Sequence, residues 1–194
     1  RLAARREAGA KSTPQPPPPS RVSAASANVR TLPLHFEPNL GQASPGVAYL
    51  ARGRGFGLLM GSREVSITLA SRPPAPERGT GGRGAAVIMR FEGAAAVTPA
   101  GDGELPGRSH YLGGGDPTHW RRDVPHYAKV LYRDLYPGVD AVFYGRDGEL
   151  EYDLIARPGA DIEAIEMSFD GVDGLRVDET GDLVLSTRGG EIHQ

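Results

Sequence analysis

From residue 31 onward, short apolar runs alternate with polar residues at a period of two, and glycine, proline or Asp-Gly pairs interrupt them. This pattern is typical of antiparallel strands joined by tight turns. It predicts almost no helix. The predicted strands span residues 32–37, 47–52, 56–60, 64–69, 86–92, 109–112, 127–132, 139–144, 149–155, 165–169, 175–177 and 183–186.

The clearest predicted hairpin joins strands 139–144 and 149–155 through Asp147 and Gly148, two residues that tolerate positive φ in a tight turn. Its second strand alternates apolar with acidic side chains, which predicts one buried face and one solvated face. The apolar and acidic sets are Leu150, Tyr152 and Leu154, and Glu149, Glu151 and Asp153. Alternate carboxylates on one face have a spacing that glycoside hydrolysis can use, but such rows are usually solvated, so we assign them no catalytic role.

Residues 138–153 align without gaps on residues 171–186, and both segments begin with Gly-Val-Asp. We interpret them as two copies of one strand-turn-strand unit. Two copies do not make a solenoid or a propeller, because about three or more repeats are needed to bury a continuous core.

Composition divides the chain into two parts. Residues 1–30 contain no Phe, Tyr, Trp, Ile or Met and have five prolines between positions 14 and 19. They cannot bury enough apolar area to offset their ordering entropy, so we expect a disordered, Pro-rich basic tail or linker. Residues 31–194 are expected to form one all-β domain, either an antiparallel β-sandwich or two abutting antiparallel sheets, with a mobile loop at 71–84.

Charge and cysteine content exclude several classes of partner. The formal net charge of −2 combines the basic tail with an acidic body. Phosphate recognition requires a basic stripe on a folded face, so we expect no nucleic acid partner. No apolar run approaches the roughly 20 residues of a spanning helix, so we expect no membrane span. The absence of cysteine excludes disulfides, thiolate metal sites and cysteine nucleophiles.

Four segments carry a family resemblance: FEPNLGQ at 36–42, the stretch 120–125, YPGVD at 136–140 and LEYD at 150–153. Over nearly all of residues 31–194, the chain resembles the uncharacterised β-rich domain that precedes SBBP-type β-propeller repeats in exported bacterial proteins. The resemblance implies an extracellular or cell-surface location and a non-catalytic role in scaffolding, adhesion or docking beside a propeller. It implies as partners other domains of the same or a neighbouring surface protein, and it transfers no catalytic residue.

The chain departs from that family pattern at its end. No propeller repeats follow, and the chain stops where relatives continue through a further strand. We therefore expect a domain truncated at its C-terminal edge, which would leave an open sheet edge.

Residue patterns that carry common enzyme chemistry are missing or incomplete. The glycine run at 113–117 lacks the Lys-Ser/Thr of a phosphate-binding loop, and Ser109 and His110 are adjacent on a strand, so their side chains point to opposite faces. No two histidines have the i, i+4 spacing of a helical zinc site, which favours turn or surface histidines over a metal site. The histidines are His35, His110, His119, His126 and His193. We expect a protein that is not an enzyme.

Calcium is the one cofactor that the sequence suggests. Asp173, Asp178 and Asp182, with Glu179 beside them, surround predicted turns, and loop carboxylates suit Ca²⁺. The segment lacks a DxDxDG loop, and Asp before Gly is also ordinary turn chemistry, so the alternative is a turn without metal.

Trp120 is the only tryptophan and lies in sequence near Tyr111, Arg121 and Tyr127. An exposed cluster of these residues would stack a sugar ring or anchor a protein partner. The alternative is a tryptophan that holds a long loop against the core. This cluster supports a second hypothesis for the function, a carbohydrate-binding module or glycan-active enzyme with glycans as partners.

Overall fold

The computed structural model describes residues 33–69, 85–188 and 190–193. The predictions for the tail at 1–30 and for most of the loop at 71–84 lie outside the described residues. Within them, the chain forms strands and a single 3₁₀ turn, Pro117–His119. The strands are β1 (Phe36–Pro38), β2 (Tyr49–Gly53), β3 (Phe56–Met60), β4 (Glu64–Leu69), β5 (Ala86–Glu92), β6 (Ala100–Tyr111), β7 (Arg121–Tyr136), β8 (Val139–Arg146), β9 (Glu149–Ala156), β10 (Glu166–Asp170), β11 (Gly174–Val177), β12 (Leu183–Thr187) and β13 (Gly190–His193).

The all-β prediction is confirmed. Nine strands follow the order β10-β5-β4-β3-β2-β1-β7-β8-β9 in one large curled sheet, and β6 pairs with β7 beside this path. A second sheet contains β11, β12 and β13 in that order. The described strand pairs are antiparallel, as the turn-rich sequence predicts. None of the helical structure in the described ranges is long and apolar enough to cross a membrane.

The large sheet has two arms, β10-β5-β4-β3-β2-β1 and β7-β8-β9. Curling brings these two arms together around an aromatic core. Phe91 of β5 lies against Tyr132 of β7 and Phe143 of β8, with ring centroids 6.3 and 6.4 Å apart. All three rings are at most 2% exposed. The Tyr132 hydroxyl donates a hydrogen bond of 2.9 Å to the carbonyl of Gly61, and burial raises the pKa of this phenol. Leu185 of β12 is fully buried in the same core, so the small sheet packs on the large one.

The strands with the cleanest alternation have the predicted bounds. β3, β4 and β5 match the prediction to the residue, whereas β6 and β7 are much longer than expected and β13 was not predicted. The first eight residues of β6 include three Gly and one Pro, and most of β6 is exposed, so no apolar period marks the strand in the sequence. Strand β6 is held in place by its backbone pairing with β7, which its own sequence pattern does not predict.

The predicted hairpin is present. Arg146 pairs with Glu149, and the two turn residues, Asp147 and Gly148, have φ of 54° and 90°, as a type I′ turn requires. The apolar residues of β9 pack against the core, which confirms the predicted faces. The two aligned segments, 138–153 and 171–186, also begin with the same backbone conformation, because Gly138 and Gly171 have φ of 76° and 78°.

Replacing Phe91 with Ala should lower the free energy of unfolding by about 3–5 kcal/mol, because it removes the ring that joins the two arms of the large sheet. Urea denaturation monitored by circular dichroism measures this loss. Leu59→Ala is the matched control, since Leu59 lies on the outer face of β3 and is 39% exposed. It should cost less than about 1 kcal/mol. Equal losses for the two variants would contradict the core assignment.

Candidate functional site

The end of β1 meets the middle of β7 through one register pair, Phe36 opposite Tyr127. In an antiparallel pair, that register places Glu37 opposite His126. Phe36 is buried in the aromatic core, so its neighbours His35 and Glu37 project from the other face of the sheet. The strand register therefore brings two histidines and one glutamate together on the outer face.

These three side chains form a compact cluster. The Glu37 Oε1 atom lies 3.4 Å from His35 Nε2 and 3.5 Å from His126 Nε2. The two imidazole rings are stacked, with centroids 3.9 Å apart and an interplanar angle of 21°. One ligating atom from each of the three residues falls within 4.8 Å of the others, so the group can hold a metal ion.

The end of β6 covers Glu37 with two hydroxyl groups. Ser109 Oγ donates a hydrogen bond of 2.6 Å to Glu37 Oε1 and lies 2.7 Å from His126 Nε2. Since the hydroxyl has one hydrogen and gives it to the carboxylate, His126 Nε2 donates to Ser109. The Tyr111 hydroxyl donates to Glu37 Oε2, and Arg52 donates to the Tyr111 oxygen at 2.7 Å. Both carboxylate oxygens are thus satisfied.

A bulge in β6 allows this close approach. The register of β6 against β7 shifts between Leu105 and Arg108. Within the bulge, a Cβ on Gly107 would lie 2.7 Å from His126 Nδ1, so a larger residue would displace the ring. The close approach of His126 therefore favours glycine at position 107, in addition to the place of this residue in a bulge.

Glu37 is the single buried charged residue in the described part of the chain, at 3% exposure. Burial alone would raise its pKa, but hydrogen bonds from Ser109 and Tyr111, followed by the nearby His126 and His35, together lower it below the ordinary value. Burial, and then repulsion from His35, lower the pKa of His126, and the attraction of Glu37 opposes this only in part. These shifts favour a carboxylate beside a neutral imidazole.

The loop after Glu37 is held by Asn39. Its side-chain amide donates to the carbonyl of Val47 at 2.9 Å, and its Oδ1 accepts from the Gly41 backbone N–H at 3.0 Å. Arg121 Nε donates to the carbonyl of Leu40 at 2.5 Å, which ties the loop to the start of β7. The FEPNLGQ segment and the segment that begins at 120 therefore meet at this site.

The predicted aromatic cluster does not form a shared surface. Trp120 is half-buried, donates from Nε1 to the carbonyl of Gly114 at 3.3 Å and has the Arg122 guanidinium 5.1 Å from its ring centroid. Tyr111 is engaged with Glu37, as described above. Among the described residues, Trp120 has no ring contact with Tyr111 or Tyr127.

Tyr127 is instead part of the core margin. Its ring packs edge-on against Tyr49, with centroids 6.1 Å apart, and covers Gly101, where a Cβ would lie 2.5 Å from the Tyr127 ring. Arg121 donates to the carbonyls of Leu40 and Thr118. Both residues therefore have local structural partners.

The three candidate calcium ligands are not brought together. Asp173 lies at one end of the β11–β12 hairpin, where its N–H donates to the Ser186 carbonyl, whereas Asp178 and Asp182 pair at the other end. Strand β11 separates them by four residues, or about 13 Å. The Asp178 carboxylate accepts from the N–H groups of Thr180 and Asp182 at 2.9 and 3.0 Å, as in ordinary Asp-containing turns.

A groove of about 1360 Å³ opens at the mouth of the curled sheet. Core-facing side chains such as Phe56, Leu69 and Met167 line it together with the acidic row of β9. Within that row, Glu151 is paired with Arg146 at 3.2 Å. The groove is therefore the open end of the core with a charged rim.

Sequence reasoning missed the cluster itself. The expectation of separate turn or surface histidines is wrong for His35 and His126, which stack on each other. One signal was available: His35 and Glu37 alternate with Phe36 in a short strand, so they share a face. The partner His126 could not be identified, because the pairing of β1 with β7 is not encoded in local pattern.

Fold and site together define an antiparallel all-β domain with a partly buried His-Glu-His cluster on the outer face of its large sheet. Residues 36–194 match the family DUF7948, described as a domain of unknown function. The chain belongs to this family, which confirms the resemblance to an uncharacterised domain. No curated protein and no solved structure matches the chain significantly.

Replacing Glu37 with Gln should reduce the dependence of stability on pH. Because the pKa of Glu37 is lowered in the fold, its ionised form stabilises the protein above its unfolded-state value of 4.5, and this contribution is lost as pH falls through the folded-state pKa. The wild type should therefore lose stability relative to Glu37→Gln between about pH 5 and about pH 3.

Urea denaturation at several pH values measures the difference between the two proteins. Glu149→Gln is the control, since it removes the same charge from the exposed side of β9. The Glu149→Gln difference gives the baseline for removing one exposed carboxylate. A difference for Glu37→Gln that varies no more with pH than this baseline would contradict the electrostatic assignment.

Proposed function

We propose that this domain is a non-catalytic module of an exported bacterial cell-surface protein, and that it docks against a neighbouring domain of the same polypeptide. The extracellular location and the neighbouring β-propeller come from the resemblance to the domain that precedes SBBP repeats. The observation that carries the docking role is an uncovered apolar face on β11.

Leu175 and Val177 of β11 are 56% and 67% exposed. They pair in register with Leu185 and Leu183 of β12. Directly opposite residues in a sheet point to the same face, and Leu185 on that face is fully buried in the core. The core-facing surface of the small sheet therefore continues past the core at β11 and leaves two adjacent apolar side chains uncovered.

The backbone of β11 adds to this surface. In the described part of the chain, β11 pairs only with β12, so one edge of the strand has free backbone donors and acceptors. On its opposite face, Arg176 lies 3.4 Å from Glu191, so that face is polar. An apolar face beside a free edge suits burial under an adjoining domain or addition of a strand.

The geometry of the aromatic residues favours docking to a protein domain over glycan binding. Sugar recognition by stacking needs an exposed ring face. The Trp120 ring carries Arg122, while Tyr127 packs against Tyr49 at the core. We therefore propose a protein domain, and not a sugar, as the partner.

A tandem protein tests this proposal. Residues 1–194 joined to the adjoining propeller of the parent protein should show slower amide hydrogen exchange in β11 than residues 1–194 alone, because docking protects the edge strand. The double variant Leu175→Ser and Val177→Ser should abolish that protection.

Leu59→Ser is the matched control, because it removes an exposed leucine from the outer face of β3. The protection of β11 should survive in this variant. Identical exchange in the tandem and the single domain, or protection that persists in the double variant, would refute docking through β11.

A further inference from the structure

The distances in the His35–Glu37–His126 cluster differ from those of ordinary hydrogen bonds. The two N···O separations of 3.4 and 3.5 Å exceed the usual range for an N–H···O bond. They equal the edge of a tetrahedron around a metal, since ligand bonds of about 2.0–2.2 Å place neighbouring ligand atoms about 3.4 Å apart. Two of the three ligand-to-ligand distances in the cluster therefore match a coordination sphere, and all three ligand atoms lie within 4.8 Å of one another.

The two stacked rings place their Nε2 atoms near the same carboxylate oxygen. His35 and His126 lie face to face, with both Nε2 atoms within 3.5 Å of Glu37 Oε1. Because the ring planes are nearly parallel, the more exposed His35 ring must turn for both nitrogen lone pairs to reach one ion. Two imidazolium ions at this separation would repel each other. Two neutral rings that share a cation with Glu37 avoid that repulsion.

The ligand types select the metal. Two imidazole nitrogens and one carboxylate oxygen form a set that zinc commonly adopts. Calcium requires six to eight oxygen ligands, and this cluster has one carboxylate. One carboxylate and two neutral imidazoles leave a bound Zn²⁺ with a net charge of +1.

Neighbouring groups complete the site. Ser109 Oγ lies within hydrogen-bond distance of the Glu37 and His126 ligand atoms, at 2.6 and 2.7 Å, and orients both of them. Tyr111 holds the second carboxylate oxygen, so Oε1 is left for the metal. Such partners orient a ligating carboxylate and raise affinity. Metal binding moves the hydrogen of His126 from Nε2 to Nδ1, so the ring stays neutral.

The site is closed except on one side. The side chains of Glu37 and His126 are 4% and 13% exposed, whereas His35 is 31% exposed. A cation therefore enters past His35 and is otherwise shielded from water. Arg52 and Arg108 lie nearby and oppose the bound charge, which limits affinity.

We propose that His35, Glu37 and His126 bind one Zn²⁺ ion, which fastens β1 to β7 at the junction of the two arms of the large sheet. His35 and Glu37 come from β1 and its flank, and His126 comes from β7. The backbone register joins these strands through the single pair Phe36 and Tyr127, so a metal bridge adds most where backbone pairing is least. The role is structural, because a ligand that binds only the folded state stabilises it.

Titration of residues 1–194 with ZnCl₂ tests the proposal. Calorimetry should show one Zn²⁺ per chain, and the thermal midpoint should rise by several degrees and return on addition of EDTA. CaCl₂ should produce neither effect. His35→Ala and His126→Ala should each abolish the saturable binding, whereas His119→Ala, outside the cluster, should retain it.

The second shell gives a finer test. Tyr111→Phe keeps all three ligands but removes the hydrogen bond to Glu37 Oε2. It should weaken zinc binding by about 10- to 100-fold. Arg122→Ala is its control, because Arg122 lies on the Trp120 ring and has no contact with the cluster.

Two measurements on the wild type keep the proposal falsifiable if a histidine variant does not fold. Co²⁺ in place of Zn²⁺ should give the visible absorption of a tetrahedral site, and zinc should slow amide exchange in β1 and in β7 near His126. Failure of the wild type to bind zinc stoichiometrically would overturn the site. Binding without slower exchange at the junction would overturn its structural role. Neither test needs a neighbouring domain, so the docking proposal stands or falls separately.

Discussion

The continuity of the large sheet depends on the contact between β1 and β7, where one register pair, Phe36 and Tyr127, joins two arms of several strands each. Backbone hydrogen bonding at this point is sparse, so side chains determine how the arms sit on each other. On the inner face, Phe91 from one arm packs against Tyr132 and Phe143 from the other. On the outer face, the polar cluster around Glu37 spans the same junction. The fold is thus held at one point by an apolar contact on one side and a polar contact on the other.

The two faces of this junction also fix its register. A slip of one residue in β1 would turn Glu37 towards the aromatic core and Phe36 towards the outer face, because alternate residues point to opposite sides of a strand. A buried carboxylate without partners is costly, whereas in the native register Ser109 and Tyr111 satisfy both of its oxygens. The cluster therefore penalises the wrong alignment as well as stabilising the right one.

Local pattern predicts only those parts of the molecule that are stabilised locally. The strands β3, β4 and β5 alternate cleanly and have the predicted bounds, and the turn at Asp147 and Gly148 follows from residues that tolerate positive φ. Strand β6 is largely exposed, so its sequence has little apolar periodicity from which its pairing with β7 could be predicted. The candidate site depends on the pairing of β6 with β7 and on the approach of β1 to β7. Its two histidines, His35 and His126, are 91 positions apart, so the sequence does not show that they are neighbours. The candidate aromatic and calcium residues lie close together in sequence, but the strands carry them to separate places in the fold.

Three of the four segments that carry the family resemblance contribute contacts that hold the curled sheet together. FEPNLGQ contains Glu37 and the loop that Asn39 holds at the junction. In YPGVD, the Tyr136 hydroxyl donates to the carbonyl of Glu166 at 2.7 Å, which links the end of β7 to β10 in the opposite arm. In LEYD, the Tyr152 hydroxyl lies 3.9 Å from the sulfur of Met167, so β9 contacts β10, the strand at the other end of the sheet. The segments YPGVD and LEYD therefore close the curl of the sheet onto β10, whereas FEPNLGQ holds the junction between β1 and β7.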